Sequence, residues 1–209
     1  QVYAIDKEVI ENVRRSVVLL SLNTLENPPL EAKNALCSGT VINEQGHILT
    51  NFHCVYGQKT LNMYYWDEND WREYKVKIIG RDPLADLALL EVIGLERKVP
   101  YLKFAEDEDI YSGEEVFAFG HPMGMAWSLS KGIISSTERY ARHPYINSIQ
   151  VDAAINKGNS GGPVFNEKGE IVGVATLMVS RTNQNAGVGL AVRADIARKS
   201  LALMLEKGK

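Results

Sequence analysis

Gly158-Asn159-Ser160-Gly161-Gly162-Pro163 is the stretch on which the reading of this chain turns. Glycines flanking one serine suit a backbone that must approach another molecule closely, with N–H groups turned toward a developing negative charge. Such a turn can cradle an oxyanion. A plain glycine-rich turn has the same composition, so residues elsewhere in the chain must decide.

The hexapeptide also satisfies the looser G-x-S-x-G pattern of a nucleophile elbow, in which the base histidine follows the serine in the chain. The four histidines, His47, His53, His121 and His143, all precede Ser160. The elbow therefore lacks its base, and the order histidine, aspartate, serine remains. His53 directly follows the β-like run Ile48-Leu49-Thr50-Asn51-Phe52, where a strand end would present an imidazole rigidly. Asp86 immediately precedes Leu87-Ala88-Leu89-Leu90, a run apolar enough to be buried. A carboxylate there needs a hydrogen-bonded partner, because an unpaired charge in an apolar setting is costly. The Nδ1–H of His53 would supply one. Asp82 is the rival acid, but beside Pro83 it reads as a turn residue. His47 follows the turn glycine Gly46 and is expected to be exposed.

Outward from these segments the chain reads as strands with a helix at each end. Short β-rich runs fall at 16–22, 39–42, 47–51, 61–66, 74–79, 88–92, 116–119, 131–135, 149–151, 162–165, 171–177 and 188–192. Gly, Asn and Asp punctuate them, which implies a sandwich or barrel rather than a parallel sheet alternating with helices. Asn43-Glu44-Gln45-Gly46 and Asn166-Glu167-Lys168-Gly169 read as hairpin turns, each ending in a glycine free to take positive φ. Ile5, Val9, Ile10 and Val13 recur at helical spacing, as do residues 200–206 with Ile196. The acidic cluster Glu106-Asp107-Glu108-Asp109 reads as a solvated loop.

Composition narrows the function classes. The chain has 209 residues, 45% of them hydrophobic and 23% charged, enough for a sizeable core. A formal net charge of −3, with no run of Lys or Arg, gives no reason to expect a nucleic acid as partner. No apolar stretch approaches the roughly 20 residues that a membrane-spanning helix requires. The sequence opens at Gln1 rather than Met, and it does not say whether a leader or anchor precedes that residue.

Taken together, these residues resemble the trypsin-like peptidases, and within them the HtrA (DegP/DegS-like) branch, from about Val17 to Val192. Ser38-Gly39-Thr40-Val41-Ile42 and Ile48-Leu49-Thr50-Asn51-Phe52-His53 resemble the histidine region, and Asp82-Pro83-Leu84-Ala85-Asp86-Leu87-Ala88 the aspartate region. Phe119-Gly120-His121-Pro122-Met123-Gly124, then Lys131-Gly132-Ile133-Ile134-Ser135, look like the loop and strand preceding the serine region. The most specific match is Asp152-Ala153-Ala154-Ile155-Asn156-Lys157 running into the glycine-rich hexapeptide.

The resemblance implies an all-β fold of two six-stranded antiparallel β-barrels, chymotrypsin-like, with short terminal helices. The N-terminal barrel would cover about 17–100, the C-terminal barrel about 110–193 and the terminal helix about 194–207. It implies a serine endopeptidase with His53, Asp86 and Ser160 as catalytic triad, acting on unfolded or damaged polypeptides in quality control or regulation. The oxyanion hole falls on Gly158, Asn159 and Ser160, with the N–H groups of Gly158 and Ser160 as donors. Digestive-type relatives lock this loop by pairing a new N-terminal ammonium with an aspartate at the position of Asn159. Neutral Asn159 cannot form that pair, so no activating cleavage is expected. Ile155, Thr176, Leu177, Met178 and Val188 should line the S1 pocket. None carries a charge, which predicts small to medium aliphatic P1 residues.

Cys37 and Cys54 are placed like the disulfide beside the histidine in animal trypsin-like enzymes, a departure from most bacterial HtrA domains. A bridge would favour export to a periplasmic or extracellular compartment. No cofactor or metal is implied, since H-E-x-x-H does not occur and two cysteines cannot close a zinc site. Relatives often assemble as a homotrimer through the N-terminal segment, where residues up to Arg15 offer Tyr3 as aromatic anchor. Many also carry a PDZ domain after the protease. The alternatives are a chaperone-like peptide-binding module on the same fold, latent until activated, and an inert pseudoprotease.

Overall fold

Residues 5–25, 35–67, 70–121, 127–140, 147–178 and 187–207 are described by the computed structural model. Among them, every run read as β-rich forms a strand. Six strands build a first closed barrel: β1 (Val17–Ser21), β2 (Ala35–Val41), β3 (Ile48–Thr50), β4 (Thr60–Asp67), β5 (Asp70–Asp82) and β6 (Leu87–Val92). Six more build a second: β7 (Glu115–Gly120), β8 (Ser128–Arg139), β9 (Ser148–Val151), β10 (Pro163–Phe165), β11 (Ile171–Met178) and β12 (Gly189–Arg193). The strand order is β1-β2-β3-β6-β5-β4 in one and β7-β8-β9-β12-β11-β10 in the other, the same path walked twice. The two-barrel expectation is met.

Several strands are continuously apolar because both faces are buried, one inside a barrel and one between the barrels. On β6, Ala88 and Leu90 join the first barrel's interior with Val18, Leu20 and Ile48. Their alternates Leu87 and Leu89 face the shared core with Leu49, Phe117, Phe119 and Phe165. β7 splits likewise, Val116 and Ala118 filling the second barrel with Ile134, Ile149 and Val164. The period-two alternation of a strand thus feeds two cores at once. Each fully buried Leu or Phe contributes about 1.5–3 kcal/mol, so the shared core fixes one barrel against the other.

Helix α1 (Lys7–Ser16) starts where the Asp6 side chain accepts the Glu8 N–H at 2.7 Å. Helix α2 (Ala194–Lys207) follows β12 directly and packs back on β5. A Cβ on Gly80 would sit 2.6 Å from the Cβ of Met204, so only glycine lets β5 pass beneath α2. The hairpin glycines behave as expected, Gly46 at φ 77° and Gly169 at φ 79°.

Two expectations need adjustment. β5 and β8 are longer than the runs at 74–79 and 131–135 because their ends are polar and exposed, and only the ladder reveals them. Trp66 pairs with Trp71, and Tyr64 with Glu73. Helix α2 covers the range 194–207 expected for the terminal helix, its first turn carrying Ala194 and Asp195 ahead of the apolar repeat. The acidic cluster includes a 3-10 turn, Asp107–Asp109, tied down by Arg198 on Asp107 and by Lys168 3.6 Å from Asp109.

Candidate active site

The residues read as catalytic come from three turns at the ends of strands. β3 ends at Thr50, and the chain enters a turn that carries His53 into solvent, its side chain about half exposed. Asp86 closes the turn between β5 and β6. Asp82 builds that turn, its Oδ1 accepting the N–H groups of Leu84 at 3.2 Å and Ala85 at 3.1 Å. Its Oδ2 accepts the Ser200 hydroxyl at 2.7 Å, which ties the turn to α2. Asp82 is therefore the turn residue it was read as.

Asp86 sits at φ 51°, in the left-handed region that side chains rarely adopt. Such strain costs on the order of 1–3 kcal/mol and persists only where surroundings impose it. Here they do. The Asp86 carbonyl accepts the Phe52 N–H and Asn51 Nδ2–H, each at 3.0 Å. The carboxylate accepts three more: the His53 N–H on Oδ1 at 2.9 Å, His53 Nδ1 on Oδ2 at 2.8 Å and the Thr176 hydroxyl on Oδ2 at 2.6 Å. Burial would raise the Asp86 pKa, but the hydrogen bonds from His53 and Thr176 and the charge of His53 outweigh it and hold the carboxyl below its usual range. Asp86 thus stays ionised and engages Nδ1 of the ring, leaving Nε2 free of it.

The other described histidines do not compete. His47 is half-buried rather than exposed, because its ring nitrogen lies 3.0 Å from Asn43 Nδ2. His121 is buried, which pushes its pKa down to about 3 and keeps it neutral. His143 lies outside the described residues, as do Tyr3 and Pro122-Met123-Gly124.

Ser160 follows a tight turn. The Asn159 N–H donates to the Asn156 carbonyl at 3.1 Å, and Gly158 has φ 100°. A positive φ at the third position distinguishes type II from type I, in which the central peptide is flipped. The loop's carbonyls are engaged: Gly158 accepts Ser38 Oγ–H at 2.7 Å, Asn159 the Gly162 N–H at 2.8 Å and Ser160 the Ser38 N–H at 2.9 Å. Among the described residues, neither the Gly158 nor the Ser160 N–H finds a backbone acceptor. Asn159 is buried, its Nδ2–H donating to the Ala154 carbonyl at 3.1 Å. Gly161 at φ 83° lets the chain pass so close that a Cβ would collide with Thr50 Oγ1 and the Ser38 carbonyl. The Ser160 hydroxyl lies 3.5 Å from the Thr176 carbonyl oxygen.

Cys37 and Cys54 form a disulfide beside this site, linking β2 to the His53 turn across 17 residues of sequence. Of the residues read as pocket wall, Ile155 is core, pressed against Gly189. Val188 is half-buried, and the Thr176 hydroxyl is committed to Asp86. Leu177 and Met178 lie on β11, opposite Leu190 and Gly189; their side chains lie outside the described part. Thr176 as a partner of Asp86 was not foreseen. The two are 90 residues apart and nothing local in the sequence marks the pairing.

Twin barrels of one strand order, an imidazole–carboxylate pair on one and a serine in a glycine-rich loop on the other, define a protein of chymotrypsin-like fold. The trypsin-like peptidase domain profile matches residues 37–174, and the chain belongs to that family. It is 38% identical over 172 residues to a probable periplasmic serine endoprotease, DegP-like, of Rhizobium meliloti, covering 82% of this chain and 33% of the relative. A protein of the same description from Brucella suis is 36% identical over 182 residues, covering 87% and 35%. The chain spans about a third of the length of these curated relatives. Among solved structures it resembles the HtrA-type protease AlgW with a decapeptide, at TM-score 0.83 and 26% identity over 96% of this chain and 67% of that one. The serine endoprotease from Yersinia pestis superposes at TM-score 0.79 with 28% identity, covering 100% and 70%.

Proposed function

We propose that this chain is the peptidase domain of a DegP/HtrA-type serine endoprotease, cleaving unfolded or damaged polypeptides through His53, Asp86 and Ser160. The observation that carries the reading is the Asp86–His53 pair, held by bonds to both the backbone and the ring of His53, on the barrel opposite a serine loop whose Gly158 and Ser160 N–H groups find no backbone acceptor among the described residues. Ser160 Oγ would turn from the Thr176 carbonyl to attack the scissile carbon as His53 Nε2 takes its proton. Ionised Asp86 stabilises the imidazolium that forms. The Gly158 and Ser160 N–H groups, in the loop with Asn159, receive the oxyanion, each such donor being worth about 3 kcal/mol. His53 then returns the proton to the leaving amine, and water repeats the sequence on the acyl-enzyme.

Ile155, Thr176, Leu177, Met178 and Val188 offer no counter-ion to a cationic P1 side chain. Small to medium aliphatic P1 residues are therefore preferred, because an unpaired buried charge costs several kcal/mol. The disulfide and the periplasmic description of the relatives support an exported protein. Assembly as a homotrimer through the N-terminal segment belongs to the same reading. Digestion of unfolded casein with every cut mapped by mass spectrometry tests it: Val, Ala and Leu should dominate P1. A profile dominated by Arg or Lys overturns the pocket assignment, and no cleavage by the intact protein overturns the peptidase reading.

A further inference from the structure

The disulfide and the imidazole beside it carry a second chemistry. One ligand atom each from Cys37, His53 and Cys54 lie within 4.8 Å of one another. In the oxidised protein the sulfurs are bonded to each other, and it is the thiolate that ligates metals. A dithiol supplies two electrons and two protons and leaves as its disulfide, or a phosphine with one water does so and leaves as its oxide; either way the S–S bond becomes two thiols. We propose that the reduced protein binds a thiophilic divalent cation, Zn2+ foremost, on Cys37 Sγ, Cys54 Sγ and His53 Nε2, and that this silences the catalytic histidine. The silencing rests on the function proposed above; the metal site does not.

The dimensions fit. Tetrahedral Zn2+ with Zn–S near 2.3 Å and Zn–N near 2.0 Å needs about 3.8 Å between sulfurs and about 3.5 Å from sulfur to nitrogen. Both separations are shorter than the 4.8 Å within which the two sulfurs and a ring nitrogen of His53 all lie. Starting from a disulfide, each sulfur moves by about 1 Å. Cys37 and Cys54 are buried, 3% and 2% exposed, while the His53 side chain is about half exposed. A cation therefore enters from the solvent side and keeps a water as fourth ligand, an open site of the Cys2His kind.

His53 is already posed as a ligand. Its Nδ1 is taken by Asp86 at 2.8 Å, which leaves Nε2 for the metal, and a carboxylate on the far nitrogen is the usual support of a ligating imidazole. Two thiolates and an imidazole select Zn2+ over Mg2+ or Ca2+. Binding releases the two thiol protons, so affinity rises with pH. A metal on Nε2 occupies the lone pair that would accept the Ser160 proton.

The test titrates Co2+, as a coloured stand-in for Zn2+, into the chain after reduction by a phosphine that is then removed. Expected are a thiolate-to-cobalt charge-transfer band and the intense visible bands of tetrahedral cobalt, both displaced by Zn2+. The oxidised protein and the Cys37→Ser, Cys54→Ser double variant should show neither, and His53→Ala should weaken both. In parallel, Zn2+ should slow casein hydrolysis by the reduced protein about 100-fold, the worth of a general base, with recovery on adding EDTA. The double variant should keep its activity in Zn2+. No cobalt bands in a reduced chain that circular dichroism shows folded, bands that survive in the double variant, or unfolding on reduction would each overturn the site. Cobalt bands with undiminished hydrolysis would overturn the silencing alone. A protein inactive in every form yet showing the bands would sink the peptidase reading and leave the metal site standing.

Discussion

The two barrels share one strand order but hold their shares of the cleft by different means. The first barrel positions His53 and Asp86 through side chains: a carboxylate with three donors and an aspartate turn. The second positions Ser160 through backbone, with glycines where no Cβ fits, pinned carbonyls and two N–H groups that find no backbone acceptor among the described residues. The difference assigns each half its own vulnerability. Isosteric changes of side-chain chemistry should cripple the first half without disturbing the fold. In the second, one added methyl should disturb fold and activity together.

The largest effect is expected from Asp86→Asn, which keeps the shape but favours the wrong imidazole tautomer. Casein hydrolysis should drop by about 10^4-fold with the melting curve little changed. If the melting temperature falls as steeply as the rate, the first half is held by more than side-chain chemistry. Gly161→Ala should do the opposite. The added Cβ meets Thr50 and Ser38 at a φ of 83°, so a loss of several kcal/mol in urea unfolding should accompany the loss of activity. An alanine variant of native stability would contradict the backbone account.

Opening the disulfide by Cys37→Ala with Cys54→Ala should cost about 3 kcal/mol, from the loop entropy of a 17-residue separation. Hydrolysis by the molecules still folded should be spared, since Asp86 holds His53 independently. Within the first unit below pH 6.5, the smallest effect concerns pH. His121, between β7 and the Trp127 ring, has its pKa pushed down to about 3 by burial, against 6.5 unperturbed. The unfolded chain therefore binds a proton that the folded chain refuses. Stability should be full above pH 6.5 and decline as pH falls toward about 3, by up to about 1.4 kcal/mol per unit. His121→Asn should flatten that slope in urea titrations at mildly acidic pH, and an unchanged slope would place the acid lability elsewhere.

What the sequence disclosed follows the same division. Strands with two buried faces, such as the β6 run from Leu87 to Leu90, announce themselves by apolar continuity. The exposed ends of β5 and β8 do not. The Asp86–His53 bond was legible because an acid ahead of a buried run demands a partner, and the tight turn at Ser160 because its glycines have few other uses. Thr176 was read as pocket wall although its hydroxyl serves Asp86, and Ser38 went unread although it holds two carbonyls of the serine loop. Both contacts cross from one barrel to the other. They depend on register between distant strands, which no local pattern encodes.

The central claim is that Ser160 is the nucleophile and His53 its base. Incubation of the intact protein with a fluorophosphonate probe, followed by digestion and mass spectrometry, tests it most directly. The account predicts a single phosphonyl adduct on Ser160, formed quickly, slowed by His53→Ala and lost in Ser160→Ala. Labelling of another residue, or a folded protein that takes no label at Ser160, would contradict it.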